Sequence, residues 1–133
     1  MKNILIILTL TLCLCGCREY DIEEILLKRE DISLTIKGQE ILSYKHETFQ
    51  IGYNPDKNEY RVFDDNIGNW FVLTCQERPS TEGQTVKASL RWTSTSTTKS
   101  KNGLSFSVEK TDSRGHVWLW CEDESIGVIV REF

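Results

Sequence analysis

The sequence predicts an all-β domain, an antiparallel β-sandwich or small barrel of about seven to nine short strands. Three observations carry this. From residue 32 onward apolar side chains recur at every second position, the period of a strand with one buried face. The alternating runs are short, about 8–15 residues apart, and Gly, Asn, Asp and Pro gather between them. No stretch beyond Ile32 carries a helical period. Short strands punctuated in this way argue two β layers around one core.

Each element can be placed in turn. Ile32, Leu34 and Ile36 alternate with Ser33, Thr35 and Lys37, and Gly38 marks a turn. Phe49, Ile51 and Tyr53 form the next run. Asn54-Pro55-Asp56-Lys57-Asn58 is strong turn chemistry, after which Tyr60 and Val62 resume the alternation. Asp64-Asp65-Asn66-Ile67-Gly68-Asn69 is a second turn, followed by a strand over 70–75. Residues 76–84, with Pro79 and Gly83, read as a loop. Val86, Ala88, Leu90 and Trp92 then alternate with Lys87, Ser89 and Arg91. Residues 93–101, nearly all Ser, Thr and Lys, are expected to be a mobile loop. Leu104, Phe106 and Val108 follow, and strands over 117–121 and 126–130 close the chain through Glu122-Asp123-Glu124-Ser125.

The N-terminal segment is different in kind. Lys2 precedes an apolar run of roughly 11 residues, about half of what a helix needs to span a bilayer. The run closes on Leu14-Cys15-Gly16-Cys17, with the small Gly16 directly before Cys17. These residues resemble the lipobox of bacterial lipoprotein precursors. The resemblance implies cleavage after Gly16, acylation of Cys17 and a place in the bacterial cell envelope; an ordinary cleaved signal peptide is the simpler alternative. A diacylglycerol plus an N-acyl chain makes a lasting anchor, since one chain alone binds only marginally. Arg18, rather than Asp, follows the cysteine, which in lipoprotein families points to the outer membrane. The expected organisation is a signal peptide over 1–16, an acylated charged tether over 17–31 and a β-domain over 32–133. Within the tether, Asp21 and Glu24 match a capping box and Ile22, Ile25 and Leu26 share a helical face. Ile25-Leu26-Leu27 fits a first strand equally well.

Composition narrows the function. Loss of Lys2 takes the 16 basic residues to 15 against 20 acidic ones, a net charge of −5 for the mature chain. With no basic stripe to neutralise phosphates, nucleic acid is excluded as a partner. Of the five cysteines, two leave with the signal, Cys17 takes the lipid, and Cys75 and Cys121 remain. The two histidines lie far apart, with no zinc-type spacing, and no cofactor is implied.

Leu34-Thr35-Ile36-Lys37-Gly38-Gln39-Glu40-Ile41-Leu42 resembles the opening of bacterial immunoglobulin-like domains, where a strand, a glycine turn and a second strand begin the sandwich. Leu104, Phe106, Val108, Asp112, Gly115 and Cys121 are similar to the corner between the fifth and sixth strands of such domains, and Cys75, Trp92 and Cys121 follow their Cys–Trp–Cys order. Leu119 stands where a tyrosine corner would place Tyr. The resemblance implies an immunoglobulin-like β-sandwich and carries no functional residues. An exported cysteine pair is a disulfide candidate. Cys75 shares a face with Phe71 and Leu73, and Cys121 with Val117 and Leu119. A bridge between them would stabilise by roughly 4 kcal/mol on the chain-entropy model; two free buried thiols are the alternative.

One feature looks functional. If Val117, Leu119 and Cys121 face inward, then His116, Trp118 and Trp120 face outward, and Ile129 and Arg131 on the next strand extend that face. Exposed, the two tryptophans would form a platform for a glycan or an envelope protein, because indole joins a large apolar face to one donor. Covered by the tether or by neighbouring side chains, they would be core. The turn at Asp64 lacks the glycine position and twelfth-position Glu of a calcium loop. Glu122-Asp123-Glu124 reads as a charged hairpin tip. His46 and Glu47 are adjacent on a strand and so point to opposite faces. Enzyme motifs are absent. The expectation is a non-catalytic, lipid-anchored module that binds a ligand or partner. An inhibitor or immunity-type lipoprotein acting through 76–84 and 93–101, or a structural subunit, are the alternatives.

Overall fold

The computed structural model describes residues 20–44, 49–65 and 68–132. Within them, nine strands form a single antiparallel sheet. They are β1 (Ser33–Ile36), β2 (Gln39–Ser43), β3 (Phe49–Asn54), β4 (Glu59–Asp64), β5 (Asn69–Cys75), β6 (Thr85–Ser94), β7 (Thr97–Thr111), β8 (His116–Cys121) and β9 (Ile126–Arg131). The expected all-β antiparallel fold is thus observed. From β3 to β9 each strand pairs with the next, and the β1–β2 hairpin sits beyond β9. The sheet curls into a half-barrel whose halves face one another across the core, as the layers of a sandwich do. Asn69 Nδ2 donates to the Ile41 carbonyl at 3.0 Å, so the start of β5 meets β2 across the curl.

The sequence pattern explains this shape. Tyr60, Val62, Phe71, Leu73, Val86, Leu90, Phe106, Leu119 and Val128 are the inward members of their alternating runs, and all are buried on the concave side. Irregularities in the β1–β2, β6–β7 and β7–β8 ladders bend the sheet. The one in β6–β7 matters most. Ala88 pairs with Leu104 but Leu90 pairs with Lys101, so β7 carries an extra residue near Gly103, whose φ of +66° suits glycine.

Residues 93–101 are not the mobile loop expected. They are the end of a β6–β7 hairpin, turned by Thr95 and Ser96 alone, both at positive φ. That backbone matches the twist of the flanking strands, and threonine favours the pleated state. Thr93 and Thr98 hydroxyls meet across the ladder at 2.9 Å. Residues 76–84 do form a loop, held by the Gln84 side chain, which accepts from the Ser80 and Thr81 amides and donates to the Arg78 carbonyl.

The described part of the tether is folded against the sheet rather than solvated. Glu23–Leu27 forms one π-helical turn, led in by Asp21, whose carboxylate accepts the Glu23 amide at 3.0 Å. Of the two readings of Ile25-Leu26-Leu27, helix is the one observed. This strap lies on the convex face, where Ile22 and Leu26 cluster with Trp118, Trp120 and Ile129. Burial of each such aliphatic side chain is worth about 2 kcal/mol. Arg29 Nη1 bonds Glu40 Oε1 at 2.6 Å and secures the strap to β2. The signal sequence, Cys17, His46, Glu47, Asn66 and Ile67 lie outside the described residues.

Candidate functional site

A cleft of about 760 Å³ opens at one end of the half-barrel. One wall is the β1–β2 turn, with Ile36, Lys37, Gln39 and Ile41; the other is the β6–β7 hairpin from Trp92 to Lys101. Lys37 N donates to the Ser125 carbonyl at 2.8 Å, so the β8–β9 turn braces the first wall.

The ladder register dictates what the hairpin presents. Lys99 stands opposite Trp92, and Lys101 opposite Leu90. Cross-strand partners share a face, so both lysines lie on the concave side, above a floor that Trp92, Ile36 and Ile41 make apolar. Here the irregularity near Gly103 is decisive. Counting back from Leu104 in twos would put Asn102 and Ser100 on the inner face and the lysines outside; the extra residue reverses that parity.

Lys37, Lys99 and Lys101 give the cleft a positive rim, and no carboxylate is among the described residues lining it. Just outside, Glu124 Oε2 bonds Lys101 Nζ at 2.7 Å. That hydrogen bond and charge, helped by Lys37, hold the Glu124 carboxyl below its ordinary range. One carboxylate beside three ammonium groups leaves a surplus of positive charge in a chain of net charge −4. Ammonium, hydroxyl and amide donors around an apolar floor suit a ligand that joins an anionic group to an apolar or neutral body.

The residues singled out from the sequence fall elsewhere. Trp118 and Trp120 do face away from Leu119, as the alternation requires, but they are not an exposed platform. They are 2% and 4% exposed, because the strap covers them. Trp118 Nε1 donates to the Arg29 carbonyl, Trp120 Nε1 donates to the Glu122 carboxylate, and Lys110 Nζ lies 4.6 Å from the Trp118 ring centre. Ile129 is wholly buried in the same cluster. Arg131 is half-buried at the edge of this face, with Nε donating to the Arg114 carbonyl.

His116 is 6% exposed, with Nδ1 3.0 Å from Asp112 Oδ2. Asp112 also accepts from the Arg114 and His116 amides, closing the β7–β8 turn. Burial works against its ionised form, yet these amides and the nearby His116 and Arg114 keep its carboxyl below the usual range. This pair borders a small recess of about 140 Å³ with Arg78 and Glu132, and its geometry serves the turn.

Cys75 and Cys121 are both buried and both free, so the disulfide is not formed. Both sulfurs face the core as parity required, but β6 and β7 separate their strands. A bridge needs Cα atoms about 4.4–6.8 Å apart. Burial pushes the Cys75 thiol up to about 12 and raises that of Cys121. Glu122-Asp123-Glu124 is a hairpin tip, and no cluster fit for a metal ion occurs among the described residues.

The lysine rim was missed in the sequence because 93–101 read as a mobile loop. The signal that pointed to it was Lys99 and Lys101 at i and i+2, on one face of any strand that contains them. Comparison of the chain with protein-family models, with curated proteins and with solved structures finds no match in any of the three.

Proposed function

We propose that this protein is a non-catalytic binding module of the bacterial cell envelope, anchored by lipid at Cys17, and that its ligand carries an anionic group held in the lysine-lined cleft. The observation that carries the reading is the inward placement of Lys99 and Lys101 over an apolar floor. Lysines turned onto the concave face of a curled sheet add nothing to its core, since a buried ammonium is costly. They suit a site that a counter-charge completes. The strap over Trp118 and Trp120 moves the expected binding place from the convex face to this cleft.

The test is a titration of the mature chain with glycerol phosphate, and with glycerol as the uncharged control, followed by amide chemical shifts. Shifts confined to residues 36–41 and 92–101, absent with glycerol and lost in a Lys99→Ala/Lys101→Ala variant, support the reading. No shift there, or the same shift in the double variant, removes it.

A further inference from the structure

The strap fixes where the cleft lies relative to the lipid. Tyr20, the first described residue, lays its ring on Gly38 in the β1–β2 turn. A Cβ on Gly38 would stand 2.8 Å from Tyr20 Cδ1 and Cε1, so only glycine admits the contact. Lys37 and Gln39, on either side of Gly38, are in the cleft wall. Cys17 is three residues ahead of Tyr20, and three residues reach at most about 11 Å even when fully extended. An acyl group on Cys17 therefore keeps Tyr20, and with it the β1–β2 turn in the cleft wall, near the bilayer surface.

We infer that the cleft docks on the phosphate headgroups of anionic lipids in the membrane that holds the anchor. The inference rests on the lipidation of Cys17 and on the anionic-ligand reading of the cleft. Two features favour this ligand over a soluble one. The lysines stand at the end of the domain from which the anchor departs. Tethering also raises the local headgroup concentration enough for a shallow, open site to be occupied without high intrinsic affinity. The domain then rests with its β1–β2 and β6–β7 turns towards the bilayer and its β3–β4 turn and 76–84 loop away from it.

Lysine footprinting tests this on the full acylated chain. The protein is placed in vesicles of phosphatidylcholine alone, or of two parts phosphatidylcholine to one of phosphatidylglycerol, then pulse-acetylated and read by mass spectrometry. Lys37, Lys99 and Lys101 are expected to react about threefold more slowly, or slower still, on the anionic vesicles. Lys57 and Lys87, at the opposite end of the sheet, should react equally on both. Equal labelling of the cleft lysines on the two membranes, or uniform slowing of all lysines, overturns the inference. A third sample, on neutral vesicles with added glycerol phosphate, separates the two readings. Protection there without protection on anionic vesicles leaves the anionic-ligand reading standing and sinks the membrane one. Protection in neither sinks both.

Discussion

Trp118 donates its indole N–H to the main-chain carbonyl of Arg29, 2.8 Å away, and so ties the middle of β8 to the end of the strap. The strap contributes the apolar cover for this tryptophan, and Leu26, with no exposure, is its deepest residue. Leu26→Ala is expected to lower unfolding stability by about 3 kcal/mol, the usual cost of a truncated buried leucine. Iodide, which the intact strap keeps from Trp118 and Trp120, should quench more of the fluorescence in the variant. An unchanged quenchable fraction would show that the strap does not cover the indoles in solution.

Gly38 gives a second handle on the same segment. Its φ is +77°, and a methyl group there would enter the Tyr20 ring. Gly38→Ala should cost about 1–2 kcal/mol from the left-handed backbone and a further increment from the displaced ring. Tyr20→Ala in that background should recover the steric increment and leave the backbone cost. Urea denaturation of the two single variants and the double variant measures the coupling. Strict additivity would mean the ring does not rest on the turn.

The two thiols should be silent in the folded protein. With Cys75 pushed up to about 12 and Cys121 raised by burial, little thiolate exists at neutral pH. Without reductant, the chain from residue 18 onward should show no thiol to an aromatic disulfide reagent while folded, and both thiols once unfolded in urea. Finding none after unfolding would establish a bridge between Cys75 and Cys121.

Acid should weaken the closure of the C-terminal end. Arg78 donates to both oxygens of Glu132, through Nε at 2.8 Å and Nη2 at 2.6 Å, and Tyr60 Oη donates at 3.2 Å. The Arg78 bonds outweigh burial and hold the Glu132 carboxyl below its ordinary value. A carboxyl lowered on folding stabilises above its unfolded pKa, and the gain disappears as the pH falls through the folded value. Wild-type protein should therefore exceed Glu132→Gln in stability above about pH 5, with the gap shrinking below about pH 4. Arg78 is largely exposed, so the gap should not pass about 1 kcal/mol. A gap independent of pH would remove the ionic part of this account.

Much of the fold can be read from alternation. The inward series Val86, Ala88, Leu90, Trp92 and the outward pair Trp118, Trp120 fall on the faces their spacing requires. What alternation cannot carry is the next level of organisation. It assigns Cys75 and Cys121 to one side of the sheet but not to their places in the strand order, where two strands stand between them. It shows Ile22, Ile25 and Leu26 on one helical face but not the surface that face will cover. Parity itself fails at the irregularity near Gly103, where one extra residue swaps the sides of Lys99 and Lys101. The candidate site was obscured for that reason: its two hairpin lysines lie just beyond a break in the very pattern used to read the chain.

The pairing of β1 with β9 sets a temporal condition on the molecule. Ser33 through Ile36 lie against Ile129 through Ile126, so the earliest strand waits for the last one before its second edge is satisfied. Ile129 is also part of the surface under the strap. A chain emerging N-terminus first, or cut short before residue 126, has a free edge on β1 and an incomplete seat for Ile22 and Leu26. Arrival of residues 126–131 and closure of the sheet are thereby one event, and a product that stops before them remains a substrate for proteolysis instead of persisting as a partial domain.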